Sequence, residues 1–82
     1  MISKDLDMKR LHKQYDCHRK TLNEVRDELE NWILLNQYDT PLEIITGNSE
    51  GMKTVVRETC KRMWIEVREG WINKGTMIID SI

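Results

Sequence analysis

A two-layer α/β sandwich is the fold class this sequence predicts: element order β-α-β-α-β-β, a single four-stranded mixed sheet, and two helices on one face. Three observations point to it. Two stretches carry apolar residues at spacings of three and four, the pattern of helices that bury one side. Short, β-branched apolar runs stand before, between and after them. The joints are rich in glycine, asparagine and threonine and hold the one proline. At 82 residues the chain makes one domain, because either half alone would bury too little apolar surface. Residues 1–8 read as a flexible N-terminal arm and residues 9–82 as the folded unit.

The first strand is expected over residues 11–18. Alternation sets Leu11, Lys13, Tyr15 and Cys17 on one side and His12, Gln14, Asp16 and His18 on the other. Tyr15 and Cys17 are the candidate core pair, so Asp16 and His18 point together from the opposite face. The first helix begins after Thr21, which forms a capping box with Glu24, and its stripe of Leu22, Val25, Leu29, Trp32 and Ile33 faces the sheet. Turn residues from Asn36 to Pro41 end it. Leu42-Glu43-Ile44-Ile45-Thr46 is the second strand, stopped by Gly47-Asn48-Ser49-Glu50-Gly51. The second helix, from about Gly51 or Met52 to Met63, buries Met52, Val55, Val56, Cys60 and Met63. Ile65 and Val67 mark the third strand and Met77-Ile78-Ile79 the last, with turn signals at Glu69-Gly70 and Asn73-Lys74-Gly75. A helix between the first two strands makes them parallel, joined by a right-handed crossover.

Composition narrows the classes of function. Hydrophobic residues make up 39% and charged residues 33% of the chain, a balance that fits a soluble globular domain and excludes disorder. No apolar run approaches the roughly 20 residues that span a bilayer, so no membrane partner is expected. Met1-Ile2-Ser3-Lys4-Asp5 lacks the apolar core of a secretory signal, and a cytoplasmic location is expected. Cys17 and Cys60, the two cysteines, read as free thiols. Their spacing, even with His12 and His18, matches no zinc pattern, so no metal site is assigned. The formal net charge is −1, yet Lys9, Arg10, Lys13, Arg19 and Lys20 cluster against Asp16 alone before the acidic run of Glu24, Asp27, Glu28 and Glu30. That strip is either a local phosphate-binding patch or an ordinary solvated surface protecting a sheet edge.

Three blocks carry a resemblance. Asp16-Cys17-His18-Arg19-Lys20-Thr21 and the helix after it are similar to the Asp-Leu-His-Gly-Leu-Thr opening of the small MutS-related (Smr) domain family. There Asp16, His18 and Thr21 match, Cys17 takes the apolar place and Arg19 replaces glycine. Ile44-Ile45-Thr46-Gly47-Asn48-Ser49 resembles the family's strand and His-Gly-x-Gly or Thr-Gly-x-Gly turn, with Gly47 kept, Asn48 where lysine is common and Ser49 in place of the second glycine. Asn73-Lys74-Gly75-Thr76-Met77-Ile78-Ile79 resembles the closing Asn-x-Gly turn and strand. The blocks stand in the family's order and cover most of the chain between Tyr15 and Ile79.

The resemblance implies a fold like the C-terminal domain of bacterial translation initiation factor three, and RNA or DNA as partner. It also implies one of two activities: an endonuclease, a hydrolase cleaving phosphodiester bonds, or a non-catalytic nucleic-acid-binding or protein-interaction module. For cleavage, Asp16 and His18 are the candidate catalytic pair. Imidazole is the side chain suited to moving protons near neutral pH, and Asp16 can orient it or, as an alternative, hold a divalent cation; no cofactor is assigned. Arg19, Lys20 and the Thr46-Gly47-Asn48-Ser49 turn are the candidate nucleic-acid-binding residues, the turn offering N–H groups to an anion at a helix N-terminus.

The same residues have structural roles open to them. Asp16 and His18 can fix a turn, Gly47 and Gly51 can permit one, and Ser49 can cap the second helix. Trp64 and Trp71 are expected to pack in the core or a hairpin, with base stacking as the alternative. Targeting is left to a protein partner or a homo-oligomer, for which exposed strand edges and the apolar tail of Met77, Ile78, Ile79 and Ile82 are candidates.

Overall fold

The computed structural model describes residues 13–70 and 75–82. The expected N-terminal arm, Leu11, His12, the basic pair Lys9 and Arg10, Trp71 and most of the Asn73-Lys74-Gly75 turn lie outside the described residues. The elements follow the expected order: β1 (Lys13–Asp16), α1 (Leu22–Leu35), β2 (Leu42–Ile45), α2 (Glu50–Arg62), β3 (Arg68–Glu69) and β4 (Thr76–Ile79). They form an open, four-stranded mixed sheet in the order β1-β2-β4-β3, with β1 parallel to β2 and the other pairings antiparallel.

One core forms where both helices meet one face of that sheet. Tyr15 and Cys17, Leu42 and Ile44, and Met77 and Ile79 supply the sheet side. Val25, Leu29 and Ile33 from α1 and Met52, Val55, Val56 and Cys60 from α2 supply the other. Full burial of an aliphatic side chain of this kind contributes about 1.5–3 kcal/mol, so the stripe of α1 alone holds that helix down. The N-terminus of α1 is set by the expected capping box: Glu24 N–H donates to Thr21 Oγ1 at 3.1 Å, and Thr21 N–H donates to Glu24 Oε1 at 2.8 Å. Tyr15 is the buried aromatic among the described residues. Its ring lies 5.3 Å from that of the partly buried Trp32, and its hydroxyl donates to Glu28 Oε1 at 2.8 Å.

Several boundaries and placements differ from expectation. The first strand stops at Asp16 rather than His18, because the Asp16 carboxylate takes the His18 N–H and a turn closes from Lys20 N–H to the Cys17 carbonyl. Ile65 and Val67 precede the third strand instead of forming it. Ile65 N–H is committed to the Cys60 carbonyl at the end of α2, and pairing with β4 starts at Arg68. The tail Met77, Ile78 and Ile79 is no edge awaiting a second chain: β4 runs between β2 and β3 and all four of its residues are buried. Ile82 is exposed.

Trp64 departs furthest. It is 95% exposed rather than packed, and it adopts φ of 61° just past the C-cap residue Met63. Trp64 N–H reaches the Lys61 carbonyl and Ile65 N–H the Cys60 carbonyl, the two bonds of a Schellman ending. That motif puts its left-handed residue where glycine is favoured, and any other residue costs roughly 1 kcal/mol more.

Candidate functional site

Parallel pairing of β1 with β2 brings the ends of both strands, and hence the starts of both helices, to one end of the sheet. The pairing runs from Lys13 opposite Leu42 to Asp16 opposite Ile45, and Cys17 N–H extends it by donating to the Ile45 carbonyl at 2.9 Å. Loops leaving such a sheet end are where α/β folds place ligands.

Alternation along β1 sends Cys17 into the core, 2% exposed, and leaves Asp16 at the surface. One oxygen of Asp16, Oδ1, receives both the His18 backbone N–H at 2.9 Å and His18 Nδ1 at 2.8 Å. The backbone bond is the main reason the Asp16 carboxyl lies below its ordinary range, with the imidazole contact and the nearby Arg19 charge adding to it. An ionised carboxylate only accepts, so the 2.8 Å contact requires the proton on Nδ1. Nε2 is then the nitrogen that carries the lone pair of the neutral ring, and it faces the second loop. A Cβ built on Gly47 would lie 3.4 Å from it. Gly47 has φ of 65°, so glycine is called for twice, by its conformation and by the ring beside it.

The second loop is more occupied than its sequence suggests. Thr46 N–H and Gly47 N–H both donate to the Gly75 carbonyl at 2.9 Å, which removes them as anion donors. Thr46 is buried and its hydroxyl donates to the carbonyls of Gly47 and Gly75. Ser49 caps α2, its Oγ accepting from Met52 N–H at 3.1 Å. The N–H groups of Asn48, Ser49, Glu50 and Gly51 meet no acceptor among the described residues. Those four, at the positive end of the α2 dipole, are the donors left for an anion.

The two basic candidates divide. Arg19 is exposed in the turn after β1. Lys20 is half-buried and already engaged: Nζ lies 3.1 Å from Glu28 Oε1 and 5.6 Å from the centroid of the Tyr15 ring. Glu28 takes the Tyr15 hydroxyl and Lys20 on one oxygen, which holds its carboxyl below the ordinary range, while burial and that hydrogen bond push the Tyr15 hydroxyl up. Lys20 therefore fastens the turn to α1 rather than reaching a phosphate freely. Two contributors escaped the sequence reading. The Gly75 carbonyl, which fixes the Gly47 loop, shows in the sequence only as part of a turn signal; no local signal points to Glu28.

Among the described residues no group of three or more His, Cys, Asp or Glu side chains is placed to hold a metal ion. No helix among them is long and apolar enough to cross a membrane. No protein-family model matches the chain, and no curated protein or solved structure does.

Proposed function

We propose that this chain is a nucleic-acid-binding domain of the Smr type, which grips a phosphate at the shared end of β1 and β2 and cleaves phosphodiester bonds there. The observation that carries the reading is the convergence of His18 Nε2, the bare Gly47 backbone and the free N–H groups starting α2 on one exposed patch. An oriented imidazole beside an anion cradle is what hydrolysis of a phosphodiester needs. Nε2 takes the proton from the attacking water, or from a 2′-hydroxyl in RNA. The Asn48–Gly51 N–H groups and Arg19 offset charge on the phosphate oxygens, and the imidazolium returns the proton to the leaving oxygen. Asp16 holds the ring's tautomer and balances its positive charge.

Binding without cleavage is the second reading. It is favoured by Ser49, whose hydroxyl is spent on the helix cap, and by Arg19, whose side chain stands where the resembled motif has glycine. A cytoplasmic location belongs to the same proposal and rests on Cys17 and Cys60, both buried and unpaired.

Titration with short single- and double-stranded RNA and DNA at several salt concentrations tests the binding reading. Affinity should fall steeply with salt, because each neutralised phosphate releases counterions. Binding that is undetectable, or flat from about 50 to 200 mM salt, would instead make this a protein-interaction module.

A further inference from the structure

Trp64 is the residue whose placement the fold does not account for. Its neighbours Met63, Ile65 and Val67 turn inward against the core, while the indole stands 95% exposed. It also occupies the left-handed position of the α2 ending, where glycine would close the same pair of hydrogen bonds without strain. The chain therefore carries a strained backbone for a large aromatic surface that packs on nothing among the described residues. Lys61 and Arg62 precede it in the last turn of α2; Arg62 Nη2 lies 3.6 Å from Glu30 Oε1, whereas Lys61 is exposed and in no ion pair among the described residues.

We propose that Trp64 is a second contact for single-stranded nucleic acid, its indole stacking on an unpaired base at the far end of α2 from the His18 patch. This rests on the nucleic-acid reading above and extends it to single strands of a minimum length. Base stacking on an exposed aromatic is the sequence-tolerant interaction of single-strand binders, and the exposed Lys61 suits a flanking phosphate. The 13 residues of α2 rise about 20 Å, so a strand joining His18 to Trp64 covers about six stacked nucleotides at roughly 3.4 Å each. An oligonucleotide shorter than that reaches one contact or the other.

The test compares the intact chain with Trp64→Gly, Trp64→Ala and Trp64→Phe by fluorescence anisotropy on labelled oligo-dT and oligo-U of 3 and 12 nucleotides, with melting of each variant. Trp64→Gly should raise Tm by several degrees, since glycine is at ease at this φ, yet weaken the 12-mer about 10-fold with little effect on the salt slope or the 3-mer. Trp64→Ala should lose the same affinity without the gain in Tm, and Trp64→Phe should keep most of the affinity. Equal 12-mer binding by Trp64→Gly and the intact chain would overturn the stacking role while leaving the His18 patch standing. An intact chain that binds neither polymer at either length would overturn both.

Discussion

Replacing Gly47 by alanine should damage fold and site together, and the size of the effect follows from one torsion and one distance. With φ at 65°, a side chain at this position meets the left-handed penalty of roughly 1–2 kcal/mol. The lower entropy of the unfolded alanine chain offsets about 0.5–1 kcal/mol of it, leaving a net loss near 1 kcal/mol. In a domain of this size that lowers Tm by about 4–8 °C. The new methyl would sit 3.4 Å from His18 Nε2, a contact the exposed ring can tolerate by a small shift, so the steric cost is minor. Its consequence is chemical: the methyl covers the nitrogen that must face a phosphate. Gly51→Ala is the control. Gly51 lies in the first turn of α2 without a left-handed torsion, and its Cβ would make ordinary contacts with Leu22 Cδ1 at 3.5 Å and Ser49 Oγ at 3.9 Å, so alanine there should be neutral or stabilise by about 0.5 kcal/mol. Thermal unfolding by circular dichroism separates the two. Equal shifts in Tm for Gly47→Ala and Gly51→Ala would refute the argument from the torsion.

Arg19→Ala should lower the salt slope of nucleic-acid binding by about 0.7–0.9, the contribution of one phosphate contact. Lys20→Ala should leave the slope nearly unchanged because Glu28 holds that ammonium; equal slopes for both variants would contradict this division. Thr59→Val should raise Tm by about 4–8 °C, since the buried Thr59 hydroxyl has no hydrogen-bond partner among the described residues and an orphan costs about 1 kcal/mol or more; a lower Tm would mean that the hydroxyl is satisfied. Burial pushes both Cys17 and Cys60 up to about 11 from 9.0, so the protonated thiols favour the folded state fully below pH 9. That contribution is lost as pH rises to about 11, and stability measured by urea unfolding should fall across the interval, whereas a flat profile would contradict it. For cleavage, His18→Ala should slow the reaction about 10²–10⁴-fold with affinity within a few-fold, and adding Asp16→Asn should make it little worse; undiminished activity in the double variant would place the chemistry elsewhere.

Much of the fold was legible because its signals are local. Thr21 and Glu24 are three residues apart and cap their helix wherever it packs. The stripes of Val25, Leu29 and Ile33 and of Met52, Val55, Val56 and Cys60 mark their buried faces without reference to the rest of the chain. The pairing of Asp16 with His18 follows from alternation and a turn, although the strand ended two residues early because the Asp16 carboxylate bonds the His18 backbone. What remained hidden depends on partners distant in sequence. The Gly75 carbonyl is 28 residues from Gly47, and nothing near Thr46 foretells that its N–H is taken. Lys20 looked free until α1 laid Glu28 beside it. One missed feature did carry a signal. Met77-Ile78-Ile79 is apolar on successive residues rather than alternating ones, the pattern of a strand buried on both faces, and all four residues of β4 are buried.

A two-dimensional ¹H–¹⁵N titration of the 82-residue chain with a short oligonucleotide at low salt locates the phosphate site residue by residue. Amide shifts should concentrate at His18, Arg19, Asn48, Ser49, Glu50 and Gly51, the imidazole of His18 should respond with them, and the Thr46 and Gly47 amides bonded to Gly75 should move less than their neighbours. Shifts gathered on β3 and the far end of β4, with residues 16–19 and 48–51 silent, would contradict a phosphate site at the end of the parallel strands.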